Sequence, residues 1–354
     1  DINISPKQLT FAREYRGYTQ SELASRIVGL SQSNLSKFEK GIEVLSDEVL
    51  KRIIEFLGFP EGFYTLSISN NVENAHYRRK SGMTKRTKED IEKSNKLIGY
   101  IVDQMADSID FPTFTLKTID LEDDFTPEYA AQFTRRYMGI IQGTVKEICT
   151  MLERYGIIIV EQTYDKENFD GVSFLTDKGI PVMVINRDFS NDRKRLTIAH
   201  ELGHIVMHLS REFAIPEYRD KEDEAFRFAS EFLMPEKEIR NSLYGLRLSS
   251  LMPLKLHWLT SMAAIIRRAW SLGCIDKNRY QYLNIELSRH HYKKHEPGMV
   301  FLDLPQSFTQ AYQLFKTELG YTDFDLSRAF QLPIDVIQRF CGNAPQLKVV
   351  SLRR

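Results

Sequence analysis

The chain has 354 residues, 42% hydrophobic and 27% charged, with 48 basic side chains against 48 acidic ones. That length allows two or three domains, each with its own core. The balanced charge excludes a global field drawing the chain onto nucleic acid, so any such binding must come from a local patch. Apolar runs are too short to span a bilayer and no secretory signal precedes the first helix, which points away from membranes and toward the cytoplasm. Cys149, Cys274 and Cys341 lie far apart, against a disulfide framework or a cysteine metal cluster; any metal must be held by histidine and carboxylate.

In chain order, residues 5–58 read as short helices. Leu9, Phe11, Ala12 and Tyr15 share one helical face, which Gly17 ends. Thr19 caps a second helix, with Glu22 at the capping-box spacing. Ser31 caps a third that ends at Gly41, and a fourth runs from about Ser46 to Gly58 with Val49, Leu50, Ile53, Ile54 and Leu57 inward. The second and third helices, joined by a tight turn around Gly29-Leu30, fit a helix-turn-helix, and Gln32, Ser33, Asn34 and Lys37 suit hydrogen bonding to base edges. A small helical adaptor is the alternative, since residues 1–66 carry 8 Lys/Arg against 9 Asp/Glu.

The run "TQSELASRIVGLSQSNLSKFEKG" resembles the Xre/Cro-type repressor domain, with one extra residue in "RIVGLSQ". The resemblance implies operator DNA as partner, with Gln32, Ser33 and Lys37 facing bases and Gln20, Asn34 and Lys40 near phosphates. A reader of this type is expected to pair as a homodimer, because half-sites come in pairs.

Residues 67–110 form a basic linker, "HYRRKSGMTKRTKEDIEKSNK", and then a connecting helix through Leu97, Ile98, Ile101, Val102 and Met105. Beyond it, "PEYAAQFTRRYMG" and "VKEICTMLERYG" look helical, and 157–162, 171–175 and 181–186 are short β-branched runs that predict three strands. Two further helices, "RKRLTIAHELGHIVMH" and "DEAFRFASEFLMP", complete an α+β segment over 111–245. From 246 to 354 the chain is again helical. There "GYTDFDLSRAFQLPIDVIQRF" (320–340) echoes residues 17–38, but with Pro333, Ile334, Val336 and Ile337 where the first copy is polar. This second copy is expected to be buried or used for pairing.

The chemistry lies in His200-Glu201-Leu202-Gly203-His204. Chance would place such a run in about one chain of this length in a hundred, so its neighbours decide its meaning. Residues four apart share a helical face, so the two imidazoles can converge on one ion while Glu201 reaches a water beside it. Catalytic zinc wants a third protein ligand. His208 lies about 12 Å along the axis from His200, too far to share that ion, and is expected to pack or to support the ligands. The better donor is Glu224, at the edge of the buried stripe Ala225, Phe228, Ala229 and Phe232; Glu222 or Asp223 substitutes if the helix is rotated.

Both helices, with "LERYGIIIVEQ", "PVMVINRD" and "HWLTSMAAIIRRAWSLGCI", resemble the ImmA/IrrE metallopeptidase family over roughly residues 77–300. Phe226 stands where many members have asparagine. The resemblance implies that His200, His204 and Glu224 bind zinc and that Glu201 is the general base. It also implies a repressor-like protein as substrate, cleaved to relieve transcriptional silencing. Manganese or iron could occupy the same donors. His257, His290, His291 and Tyr218 are candidates for the oxyanion stabiliser. The expected fold is α+β and mostly helical: a helix-turn-helix domain over 1–66, the linker and helix over 67–110, a zincin-like domain with a three-stranded sheet over 111–245, and a helical domain over 246–354. The competing readings are a non-proteolytic transcription factor or antitoxin-like regulator with a sensory metal, and a helix-turn-helix that docks on protein.

Overall fold

The computed structural model describes residues 3–68, 84–164 and 169–342. They form sixteen α-helices and a three-stranded sheet, divided between two compact units. One unit gathers the described residues of Asp1–Glu73, Met83–Asp110 and Phe308–Arg354; the other gathers those of Phe111–Ser307. The basic stretch 76–83 lies outside the described residues.

The first unit opens with α1 (Pro6–Tyr15), α2 (Gln20–Arg26), α3 (Gln32–Glu39) and α4 (Asp47–Leu57). Their ends follow the cap chemistry of the sequence. The Thr19 hydroxyl accepts from Glu22 N while Glu22 reaches back to Thr19 N, and the Ser31 hydroxyl accepts from Asn34 N. Gly58, in the left-handed region at φ 72°, closes α4. Leu9, Leu23, Leu35 and Ile53 meet in a core with no exposure to solvent. The connecting helix is α5 (Lys85–Ala106), and the face predicted for it is fully buried.

The second unit begins with α6 (Pro127–Tyr137) and α7 (Ile148–Arg154), then β1 (Ile158–Gln162), β2 (Gly171–Leu175) and β3 (Pro181–Asn186). The sheet order is β1-β3-β2, with β1 parallel and β2 antiparallel to β3, so β2 is an edge strand with Ser173 opposite Met183. Ile157, Ile159, Met183 and Ile185 form one side of the core at the two-residue period of strands. On that core lies α8 (Asn191–Met207), in which every residue from Thr197 to Met207 is buried. Helix α9 (Lys221–Leu233) packs along it. At their crossing, a Cβ on Gly203 would stand 3.1 Å from Phe228 Cδ1, so the close neighbour is an aromatic side chain. Helices α10 (Glu236–Leu243), α11 (Leu248–Trp258), α12 (Met262–Ser271) and α13 (Lys277–Arg289) complete the unit. The buried Arg268 of α12 pairs with Glu231 of α9 and fixes that helix from outside.

The chain then contributes α14 (Ser307–Thr317), α15 (Asp323–Phe330) and α16 (Ile334–Cys341) to the first unit. The expected single C-terminal segment 246–354 is therefore divided. Its first part shares the core of α8 and α9 through Leu251, Ile265 and Leu283, whereas its last part docks on α1 and α5. The echo is structural: α15 starts with the same device as α2, a capping box between Thr322 and Asp325. In α16, the counterpart of α3, Val336 and Ile337 are fully buried, whereas Ile334 is 41% exposed. Arg16, the C-cap of α1, donates to both Asp335 carboxylate oxygens at 2.6 and 3.1 Å, and Arg339 donates to the Tyr15 hydroxyl at 3.0 Å.

Candidate functional site

His200 and His204 stand one turn apart on α8, and their Nε2 atoms face each other at 3.2 Å. Glu222, in the first turn of α9, closes the group: its Oε2 lies 3.2 Å from His200 Nε2 and its Oε1 lies 3.2 Å from His204 Nε2. Glu222 Oε1 is shielded from solvent yet has no hydrogen bond among the described residues. Burial raises the Glu222 pKa, but the adjoining His200 and His204 rings outweigh it and hold the carboxyl well below the usual carboxylate range. A tetrahedral zinc site with bonds of about 2.0 Å places neighbouring donor atoms about 3.3 Å apart. The spacing, the two imidazole nitrogens, the ionised carboxylate and its orphaned oxygen all fit a divalent ion.

Glu224, the expected third donor, is elsewhere. Arg219 grips it through Nε–Oε1 and Nη2–Oε2, both 2.8 Å, and its Oε2 also lies 2.7 Å from His208 Nε2. Burial would raise its pKa; Arg219 and His208 together bring it down to about 2. The reason for these placements is helical phase. At about 100° per residue, Glu222 falls about 60° to one side of Ala225 and Glu224 about 100° to the other, so the two acids flank the stripe on opposite sides. The His200–His204 pair lies under the nearer flank. The far flank meets His208, which caps α8 with its N–H on His204 O at 2.8 Å. The His208 ring is buried, with Nδ1 2.8 Å from His204 Nδ1. Burial lowers its pKa against the pull of Glu224.

Glu201 points to β2. Its Oε2 accepts a 2.6 Å hydrogen bond from Ser173 Oγ, and one donor atom each from His200, Glu201 and His204 lies within 4.8 Å of the others. Gly171 lets α8 approach the strand: a Cβ there would meet Thr197 Cγ2 at 2.6 Å. Ser173 and Arg219 are the residues that sequence reasoning missed. A serine inside the buried run "GVSFL" was the available signal, because a buried hydroxyl needs a partner.

On α3, Gln32, Ser33 and Lys37 are exposed, as is its C-cap Lys40, and Asn34 is half-buried. The Gln32 amide donates to Gln20 Oε1 at 3.0 Å, Gln20 donates to Glu39 Oε2 at 2.6 Å, and Arg13 holds Glu39 from the other side at 2.6 Å. The two glutamines are thus fixed side by side at the start of the two helices.

Residues 152–268 match the family model of the IrrE N-terminal-like domain, Peptidase M78, and residues 11–63 match that of the helix-turn-helix. The chain joins a helix-turn-helix DNA-binding module to an M78 metallopeptidase-type domain. No curated protein is similar enough to the chain to count as a match. The M78 match takes in the whole sheet, α8 and α9, hence every residue of the candidate metal group. Three of the four oxyanion candidates contact other side chains, and the fourth is exposed. Tyr218 is 79% exposed with its hydroxyl on Glu122 at 3.1 Å. His257 packs edge-on against Trp258, His290 stacks on Tyr292, and His291 is exposed beyond the end of α13. Among the described helices, none is long and apolar enough to cross a membrane.

Proposed function

We propose that the chain is a DNA-binding regulator whose M78 domain is a zinc-dependent endopeptidase, with His200, His204 and Glu222 holding the ion and Glu201 acting as general base. The observation that carries this reading is the mutual 3.2 Å spacing of the three donor side chains. Bound zinc supplies Lewis acidity, acidifying a water molecule and polarising the scissile carbonyl. Manganese is the alternative ion for these donors. Glu201 takes the proton of the attacking water and delivers it to the leaving amine, while Ser173 holds one oxygen of its carboxylate.

A repressor-type protein is the proposed substrate, and its cleavage would relieve silencing. The helix-turn-helix keeps the peptidase beside operator-bound substrate and so raises its effective concentration. In this reading Gln32, Ser33 and Lys37 read base edges, and Gln20, Asn34 and Lys40 contact phosphates. Two chains on paired half-sites follow from that mode of reading. The test is Glu201→Gln, which should keep zinc and operator binding but abolish cleavage of a co-expressed repressor. Undiminished cleavage contradicts the peptidase reading. Operator binding that does not weaken with salt contradicts the DNA reading.

A further inference from the structure

We infer that His208 is a positioning residue for the metal centre: held by Glu224 and Arg219, it accepts the Nδ1 proton of His204 and so turns the Nε2 lone pair of His204 toward the ion. The inference rests on the metal-centre reading and extends it to three side chains outside the donor group.

The chain of donors runs inward from Arg219. Its guanidinium has only protons to give, and it gives two to Glu224, at 2.8 Å to each oxygen. A carboxylate so gripped is ionised and only accepts. His208 Nε2, 2.7 Å from Glu224 Oε2, must therefore carry a proton and donate it. Neutral imidazole has one donor and one acceptor nitrogen, which makes His208 Nδ1 the acceptor. The atom it faces, at 2.8 Å, is His204 Nδ1, which must then be the donor. That leaves the lone pair of His204 on Nε2, the atom 3.2 Å from both His200 Nε2 and Glu222 Oε1. The side chains of His204 and His208 have no exposure, and those of Arg219 and Glu224 only 6% and 13%. The series is thus largely shut off from competing water. A ligand histidine usually gives its second N–H to a carboxylate or carbonyl; here an imidazole stands between ligand and carboxylate.

The test uses the full chain with Zn2+ alone, titrated against a chelating competitor, for wild type, His208→Leu and His208→Gln. Leucine fills similar space without hydrogen bonding, whereas the glutamine amide offers an acceptor and a donor. His208→Leu should bind zinc about 10- to 100-fold more weakly, and His208→Gln should recover most of the loss. Ring 15N NMR of zinc-loaded wild type should show His208 protonated at Nε2 and bare at Nδ1. Undiminished zinc affinity in a folded His208→Leu chain overturns the inference. So does an equal loss in both variants, or a His208 proton on Nδ1. Wild type that takes up no zinc at all refutes the metal-centre reading itself, a different result from any of these.

Discussion

Ser173 Oγ, from the middle of edge strand β2, lies 2.6 Å from Glu201 Oε2 on the buried helix α8. This bond ties the sheet to the group proposed to move the proton. Ser173→Ala should leave zinc content unchanged and slow substrate cleavage by about tenfold or more, because a carboxylate free to rotate spends less time in the productive orientation. The loss should appear in kcat rather than KM. An unaltered kcat would show that Glu201 is oriented without Ser173.

Gly203 sets how closely α9 approaches α8. Its missing Cβ would stand 3.1 Å from Phe228 Cδ1 and 3.2 Å from Phe228 Cβ, and Phe228 is fully buried. Gly203→Val forces branched atoms into that contact and should cost about 1–3 kcal/mol, read as a lower Tm. Zinc affinity should fall with it, since the displaced helix carries Glu222. A variant as stable as wild type, with full affinity, would contradict this account of the helix contact.

Much of this architecture is legible in the sequence, and the parts that are not share a cause. The three strands, α8 and the capped helices of the first module declare themselves through local signals: β-branched runs, caps and apolar period. The pair His200 and His204 is equally local, since four residues on a helix fix their juxtaposition. The third donor is not local. Glu222 and Glu224 both border the Ala225–Phe232 stripe, and only the way α9 lies on α8 decides which of them meets the imidazoles. Ser173 and Arg219 escaped for the same reason, each acting across a tertiary contact. The fate of 308–342 is a further case: its repeat was visible, but nothing local places α16 against α1.

That docking carries a pH signature. The hydrogen bonds of Arg16, aided by its charge, hold the Asp335 carboxyl below its ordinary value. A carboxyl whose pKa is lowered by folding stabilises fully above its unfolded value of about 3.9, and the contribution is lost as pH falls through the lowered value. The pair is partly exposed, so its contribution is at most about 1 kcal/mol. Wild type should therefore protect the α16 amides from hydrogen exchange better than Asp335→Asn at pH 6, with the difference closing below about pH 4. A difference that persists unchanged in acid would contradict the ion-pair origin.

The central claim is that Glu222, and not Glu224, completes the metal group with His200 and His204. Zinc content after dialysis of Glu222→Gln and Glu224→Gln, measured beside wild type, tests it most directly. Wild type and Glu224→Gln should retain the metal, the latter more weakly because the Arg219–His208 support is loosened, whereas Glu222→Gln should lose it. Zinc retained by Glu222→Gln and lost from Glu224→Gln would contradict the account.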